Sequence, residues 1–467
     1  DRLRIADQSS ARMSASVLDN KSLTQLLSGL GAINISNYAG EDFSSIASDL
    51  TVSLQIDTDQ EVKSEKIGNF AINGNQISGV DSISYGLNSL SLTASDASIL
   101  KEIFVESEEG ISPQGSLTIT AYTGQDLTKL QNRAGAINIS ANGVQSIIAS
   151  ALPARATVAT DNKLLMSADD AVLLKDRLIN ANKTKTDASP GEIRIADFVD
   201  QNLVANNDSD FSRSNSNGLK VTVAISSSTA SDFSQGVNLL ADADEISIDD
   251  GSSLTVSQSQ AIVLADRFQS TTNGSLRVED YTGSDLREIP PETAKSLAIT
   301  FAINSDQDFS SLGDNLSAFS VDADLLEVKA DATVTLKSNQ ALEDKARFVG
   351  AGSLNIPDYS GEDLTVAGGF DQLNVKVNIE GAVNLSANAN NFLEDVDVIE
   401  LGGNDFLTLN ATQANTLQER IAGLVKPSDQ DAGKLFITAY NGEDLSNISD
   451  TSADNLFIKV QLAGDLV

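Results

Sequence analysis

The chain of 467 residues has no cysteine, no histidine and no tryptophan. Those absences exclude disulfides, thiol nucleophiles, zinc sites of the usual Cys/His type and any triad built on His. Proline (7) and methionine (2) are scarce, and no Pro-rich or Gly/Ser linker recurs to separate beads on a string. Basic residues are outnumbered, 31 against 66 acidic, for a formal charge of -35. Such a chain repels phosphates, so no nucleic acid is expected as a partner, and anionic membrane surfaces are disfavoured. Solubility, cations and basic partners are favoured instead. No apolar run approaches ~18 residues, so no transmembrane segment is expected. Hydrophobic residues nevertheless make up 40%, too many for a disordered chain.

What is present is a tandem array. One aromatic and acidic turn recurs six times: Asn37-Tyr38-Ala39-Gly40-Glu41-Asp42-Phe43, Ala121-Tyr122-Thr123-Gly124-Gln125-Asp126-Leu127, a degenerate Asp197-Phe198-Val199-Asp200-Gln201-Asn202-Leu203, Asp280-Tyr281-Thr282-Gly283-Ser284-Asp285-Leu286, Asp358-Tyr359-Ser360-Gly361-Glu362-Asp363-Leu364 and Ala439-Tyr440-Asn441-Gly442-Glu443-Asp444-Leu445. From Tyr38 to Tyr440 the aromatics follow one another at a spacing of roughly 80 residues, and a near-constant period indicates one element copied along the chain.

One repeat reads as β-β-α-β-β. Glu245-Ile246-Ser247-Ile248 and Ser253-Leu254-Thr255-Val256 alternate apolar and polar residues around Asp250-Gly251, which suggests a β-hairpin, although a corner between two solenoid strands would look similar. Ser257 with Gln260 forms a capping box, and Thr93, Ser167 and Asn410 stand at the same place. A helix of about three turns is expected to follow. A third strand, such as Gly274 to Glu279, leads into the recurrent turn, and a fourth closes the repeat at Leu297 to Phe301. The gap from turn aromatic to fourth strand, roughly 14 to 21 residues, fits a crossover or a solenoid coil better than a hairpin. The expected fold is therefore a β-rich α+β tandem-repeat protein, an elongated solenoid-like stack of about six units of about 80 residues with one short helix each. The boundaries fall at 1–50 (a partial repeat with the first turn), 51–134, 135–218, 219–296, 297–372 and 373–467. Leu3-Arg4-Ile5-Ala6-Asp7 matches a strand of a repeat, Ile193-Arg194-Ile195-Ala196-Asp197, and the sequence stops soon after another strand, at Val467, so the chain is expected to be processed or a segment of a longer protein.

The turn is the first place where chemistry could sit. Its glycines are expected at positive φ and its aromatics as core anchors. Asp42, Asp126, Asp285, Asp363 and Asp444, with Glu41, Glu362 and Glu443 beside them, have two readings. They shape the turn by accepting local backbone amides, or they converge from adjoining repeats on Ca²⁺, which takes six to eight oxygens. The turn reading is the heavier, because each repeat brings only one or two carboxylates. The Asp and Asn residues of the hairpin turn, Asp249 and Asp250, Asn404 and Asp405, Asp161 and Asn162, carry the same pair of readings. No phosphate-binding loop, dinucleotide fingerprint or EF-hand occurs. No repeat carries acids and bases that the others lack, so no enzyme is expected.

The strand-into-helix segments Leu407-Thr408-Leu409-Asn410-Ala411-Thr412-Gln413-Ala414-Asn415 and Leu254-Thr255-Val256-Ser257-Gln258-Ser259-Gln260-Ala261 resemble repeats of bacterial type I-secreted, RTX-associated adhesins and surface-layer-like proteins. The resemblance implies an extracellular, cell-surface, structural or adhesive role, often with Ca²⁺. This chain departs from it by lacking the Gly- and Asp-rich nonapeptide coils. A non-enzymatic repeat protein of a surface layer, filament or adhesin is expected, self-associating into a polymer or lattice. The alternatives are a glycan- or receptor-binding module directed at the cell surface, and then a polysaccharide-acting β-solenoid enzyme.

Overall fold

The computed structural model describes residues 3–18, 25–37, 43, 46, 50–55, 60–61, 81–84, 89–104, 115–130, 136–141, 143, 145–185, 188–226, 231–232, 234, 238–270, 273–313, 323–365, 370, 372–388, 391–424, 432–448 and 455–464. Strand outweighs helix, about 40% against 15%. The chain forms two compact units, residues 1–224 with 239–246 and residues 225–238 with 247–467.

Among the described residues every registered strand pairing is parallel. In the second unit a six-stranded sheet runs in the order Gln307–Asp308, Thr333–Thr335, Ser353–Tyr359, Asn374–Ile379, Val398–Leu401, Ile421–Gly423. Its inward residues sit in register, Leu354 against Val375 and Ile356 against Val377, then Val377 against Ile399. All five are buried, and each contributes roughly 1.5–3 kcal/mol by leaving water. The alternate residues Asn355, Lys376 and Glu400 face outward, as period-2 patterning requires. The first unit repeats the scheme, with Ser89–Thr93, Ser116–Thr120, Ala136–Ala141 and Thr157–Thr160 adjacent in one sheet. The sheets are open, with two ends in each order.

Third and fourth strands pair side by side, as Ser275–Glu279 does with Ala298–Ile303 and Gly433–Tyr440 with Leu456–Leu462. The recurrent turn is thus the start of a parallel crossover, as its length implied. The hairpin is overturned. Val398–Leu401 and Phe406–Asn410 flank the Gly402–Asp405 turn but belong to different sheets. The first pairs with Ile421–Gly423, the second with Gly433–Tyr440. The turn is a corner. Short strands that the sequence did not reveal, such as Leu178–Asn180, Phe348–Gly350 and Ala382–Asn384, follow the helices or the fourth strands. They are too short for periodicity to register.

The start of the chain follows the same scheme. Leu3–Ile5 pairs with Leu27–Gly29 beyond a helix, as Leu325–Val328 pairs with Phe348–Gly350. It is a first strand, although its sequence is like that of Glu192–Ala196, because LxI patterns alone do not tell strands apart. The helices are shorter than three turns. Gln258–Leu264 is α-helical and is continued by a 3-10 turn, Ala265–Arg267. Thr93, Ser167, Ser257 and Asn410 each accept the N–H of the third residue on, as anticipated. Lys337 cannot accept, and there the N–H of Ser338 is taken by the Asp358 carboxylate at 2.7 Å, so the cap comes from a neighbouring strand.

Candidate functional site

The recurrent turn forms where the third strand stops. The residue before the aromatic is left-handed in five copies: Asn37 (φ 57), Ala121 (51), Asp197 (56), Asp280 (55) and Ala439 (54). This reverses the side-chain alternation and sends the aromatic inward. Tyr122, Phe198, Tyr281 and Tyr359 are buried, while Tyr440 is half-buried. Tyr281 also stacks on Phe301 with ring centroids 4.3 Å apart. The glycines then take positive φ as expected, 101° at Gly124, 86° at Gly283, 121° at Gly361 and 98° at Gly442. Tyr38, Gly40, Glu41 and Asp42 lie outside the described residues.

The tyrosine hydroxyl closes the turn on itself. Tyr359 Oη donates to the carbonyl of Glu362 at 2.7 Å, and Tyr281 Oη to that of Ser284 at 3.1 Å. The buried Tyr122 hydroxyl has no hydrogen-bond partner among the described residues, and burial pushes its pKa up to about 12. Tyr359→Phe is therefore expected to cost about 1 kcal/mol, whereas Tyr122→Phe is neutral or stabilising. Phe198 already fills the same place in the third copy. Urea denaturation of both variants checks this; equal losses would refute it.

The turn carboxylates accept backbone amides. Asp126 Oδ1 takes the Thr128 N–H (3.0 Å) and hydroxyl (2.7 Å). Asp363 does the same with Thr365 (3.0 and 2.6 Å). Asp444 takes the N–H of Ser446 at 3.0 Å, and Asp285 that of Arg287 at 2.9 Å. Asn202 accepts identically from Val204, at 3.0 Å. An amide suffices, so the geometry asks for an oxygen and not a charge. The neighbouring acids behave alike. Glu443 accepts from the Asn441 N–H at 2.7 Å, and Glu362 from that of Ser360 at 3.1 Å. Gln125 and Gln201 do the same for Thr123 and Val199.

Several turns carry their own cation. The lysine just past each of three helices donates to the turn of the next segment. Lys101 Nζ reaches the carbonyl of Asp126 (2.9 Å) and its carboxylate (2.8 Å). Lys175 reaches the carbonyl of Asn202, and Lys345 that of Asp363, both at 2.8 Å. Where the slot holds Ala265, Arg287 supplies the charge instead, with Nε and Nη2 on the Asp285 carboxylate at 2.9 and 2.5 Å.

These bonds hold the exposed carboxylates below their ordinary range. Lys101, then Thr128, lowers Asp126; Arg287 brings Asp285 down to about 2; Thr365 lowers Asp363 and Ser446 lowers Asp444. A depressed folded pKa contributes stability above the unfolded value of about 3.9, and that stability is lost as pH falls toward about 2. The melting temperature is expected to drop across this acid window, and Asp285→Asn to flatten part of the drop. An unchanged slope in the variant would remove Asp285 from the account. Asp96 has the opposite sign. Burial raises its pKa against the hydrogen bonds from Thr93, so its contribution is best below the ordinary carboxylate range and fades as pH rises.

Among the described residues no three His, Cys, Asp or Glu groups cluster to hold a metal ion. Asp126, Asp285, Asp363 and Asp444 each sit in a separate turn. At Asp126 and Asp285 a lysine and an arginine stand beside the carboxylate. Glu443 and Asp444 share one turn in which no such base stands among the described residues. The helix-end slot there is Gln418, which accepts the Asn447 N–H at 3.0 Å.

Two further recurrent groups escaped the sequence reading. An aspartate leads the first strand and binds one residue of the fourth strand twice. Val375 N–H goes to the Asp397 carboxylate at 2.8 Å, and the Asp397 N–H returns to the Val375 carbonyl at 2.8 Å. Asp81, Asp244 and Asp324 do the same for Val52, Val221 and Ile299. An arginine after the helix donates to the carbonyl just before that position. Arg177 reaches Ala156, Arg347 reaches Ala323 (both 2.7 Å) and Arg420 reaches Val396 (2.9 Å). The signal was available as Asp two residues ahead of an aliphatic pair at repeat spacing. No protein-family model matches the chain, and none of the curated proteins matches it.

Proposed function

We propose that the chain is a non-enzymatic extracellular structural repeat protein of a surface layer, filament or adhesin. In this reading it is an elongated, solenoid-like stack of six similar repeats that self-associates at the cell surface. The observation that carries it is the use of the recurrent polar groups. Turn acids, helix-end bases and strand-leading aspartates are bonded to backbone, copy after copy, which builds a scaffold rather than a reactive centre. Ca²⁺ is a secondary part of the proposal, with Glu443 and Asp444 the best placed of the turn acids to take it.

Solution scattering tests the shape. A compact chain of this length would have a radius of gyration of about 23 Å, and a value near that would overturn the stack. Electron microscopy of native material tests the assembly, where only isolated particles would count against a lattice or fibre. Excess EGTA is expected to lower the melting temperature or dissolve assemblies if Ca²⁺ is bound, and an unchanged melt and assembly state would reject the cation.

A glycan-binding reading has one observation in its favour. A cleft of about 430 Å³ in the second unit is lined by Asn388, Asn391, Asn410, Thr412, Gln413 and Thr416. These are neutral amides and hydroxyls in a chain that is otherwise strongly charged. Binding on a glycan array that Thr412→Val and Asn388→Ala both abolish would favour it over the purely structural reading.

A further inference from the structure

In three copies the start of the helix is bridged to the turn that follows it. Gln258 Nε2 donates to the Thr282 hydroxyl at 2.8 Å, and its Oε1 accepts the Thr282 N–H at 2.6 Å. The Ser338 hydroxyl donates to the Glu362 carboxylate, and the Ser338 N–H to that of Asp358 at 2.7 Å. Gln201 Nε2 closes the same gap on the Asp169 carboxylate at 3.0 Å. In the helix Ala411–Leu417 this pattern breaks. Ala411 stands where Gln258 and Ser338 stand, and Ala439 where Asp358 stands. Neither side chain can bridge, and the cleft of about 430 Å³ opens between them. The preceding segment and the following turn, which hold the other helix starts, are both present, and Gln413 is still tied to Leu385. The gap therefore comes from the residues at this place. The Thr93 copy also has an alanine, Ala94, but the segment before its helix lies outside the described residues.

The cleft gathers polar groups that the scaffold leaves unused. Asn391 Oδ1 accepts the Leu393 N–H at 3.3 Å, but its Nδ2 is buried with no hydrogen-bond partner. A buried donor without an acceptor is costly, and an oxygen arriving in the cleft supplies one. The Asn388 side chain and the Thr412 hydroxyl, also on the lining, have no partner among the described residues. No charged side chain lines the cleft among those residues, so a neutral ligand fits it best. Its volume lies in the range of small-molecule sites. A copy that departs from an otherwise repeated bond, and leaves polar groups unmade there, is where a function is to be sought.

We infer that this cleft binds a neutral sugar by its acetamido group. That group brings a carbonyl oxygen for the Asn391 donor, an N–H for the Asn388 amide oxygen and a methyl for the side chains of Ala411 and Ala439. A sugar hydroxyl brings an oxygen but no methyl. Acidic sugars are disfavoured, because Glu443 and Asp444 follow Ala439 in the turn of a strongly acidic chain. The inference rests on the glycan-binding reading of this cleft, names the sugar class within it, and is independent of the lattice or filament role.

The test is calorimetric titration of the full chain with N,N′-diacetylchitobiose and with cellobiose, which share backbone and linkage and differ only in the acetamido groups. The acetylated sugar is expected to bind about tenfold more tightly. Ala411→Gln, which restores the bridge that Gln258 makes, is expected to abolish that binding with the melting temperature unchanged or raised. Asn391→Asp keeps an oxygen for the Leu393 N–H and removes the donor, so binding is expected to weaken about tenfold. If Ala411→Gln lowers the melting temperature, Asn391→Asp decides alone. No binding of either sugar would overturn the inference together with the glycan reading. Equal binding of both would overturn the inference and leave that reading standing. Full binding retained by Asn391→Asp would place the sugar elsewhere and overturn it as well.

Discussion

Replacing Gly350 with alanine is expected to destabilise the second unit by about 3 kcal/mol or more. Gly350 ends the short strand that crosses Leu325–Val328, with φ at +117°. A Cβ there would lie 2.2 Å from the carbonyl oxygen of Val328 and 3.1 Å from its carbonyl carbon and nitrogen. These are backbone atoms of a registered partner, so no side-chain rotation relieves the clash, and the φ itself disfavours an L-residue. Gly251 is the control. It also has positive φ, at 70°, but its Cβ would meet nothing within 4 Å, so Gly251→Ala is expected to cost only about 1 kcal/mol. Guanidinium midpoints of the two variants separate the backbone preference from the collision. Equal losses would show that the strand can move away from Val328.

Gly29 shows the same collision, 1.9 Å from the carbonyl oxygen of Ile5 at φ +132°, and it marks Leu3–Ile5 as a first strand. That assignment was hidden in the sequence. Leu3-Arg4-Ile5 and Ile193-Arg194-Ile195 have the same pattern, and only the partner beyond the helix distinguishes them. The periodic parts were legible. The aromatics, the turn glycines, the caps at Thr93, Ser167, Ser257 and Asn410, and the crossover between third and fourth strands follow from local chemistry repeated at one spacing. The hairpin around Gly402 and Gly403 failed because a tight turn fixes a chain reversal or a corner equally well. Which of the two forms depends on pairing with strands further along the chain, Ile421–Gly423 and Gly433–Tyr440. The carboxylates at Asp126 and Asp285 were legible as acids at a turn. Their partners Lys101 and Arg287 were not, because a base on a helix end or just past a turn reads as solvated surface until the fold brings it to the turn.

The other large effect is expected at the third helical residue, where the cap and the neighbouring segment share one side chain. Gln340 is fully buried. Its Oε1 accepts the Lys337 N–H at 2.8 Å, and its Nε2 donates to the carbonyls of Phe309 (2.9 Å) and Gly313. Gln413 repeats this with the Asn410 N–H (2.9 Å) and the carbonyls of Leu385 (3.0 Å) and Asn388 (3.3 Å). Asp170 inverts the polarity, its carboxylate accepting the Ala149 N–H at 2.8 Å. The residue therefore ties each of these helix starts to a segment earlier in the chain. Gln340→Ala strands two carbonyls and an N–H and opens a small void, for an expected loss of about 3 kcal/mol. Gln340→Glu keeps the volume but aims a carboxylate at two carbonyl oxygens. The folded protein would then hold that acid neutral, raising its pKa. The variant should approach wild-type stability below about pH 4 and lose it steadily as pH rises. Thermal melts of the two variants in acid, near pH ~4, and in mild base, near pH ~8, decide the matter. A Gln340→Glu protein equally stable at both would mean that the side chain does not hold the Phe309 and Gly313 carbonyls.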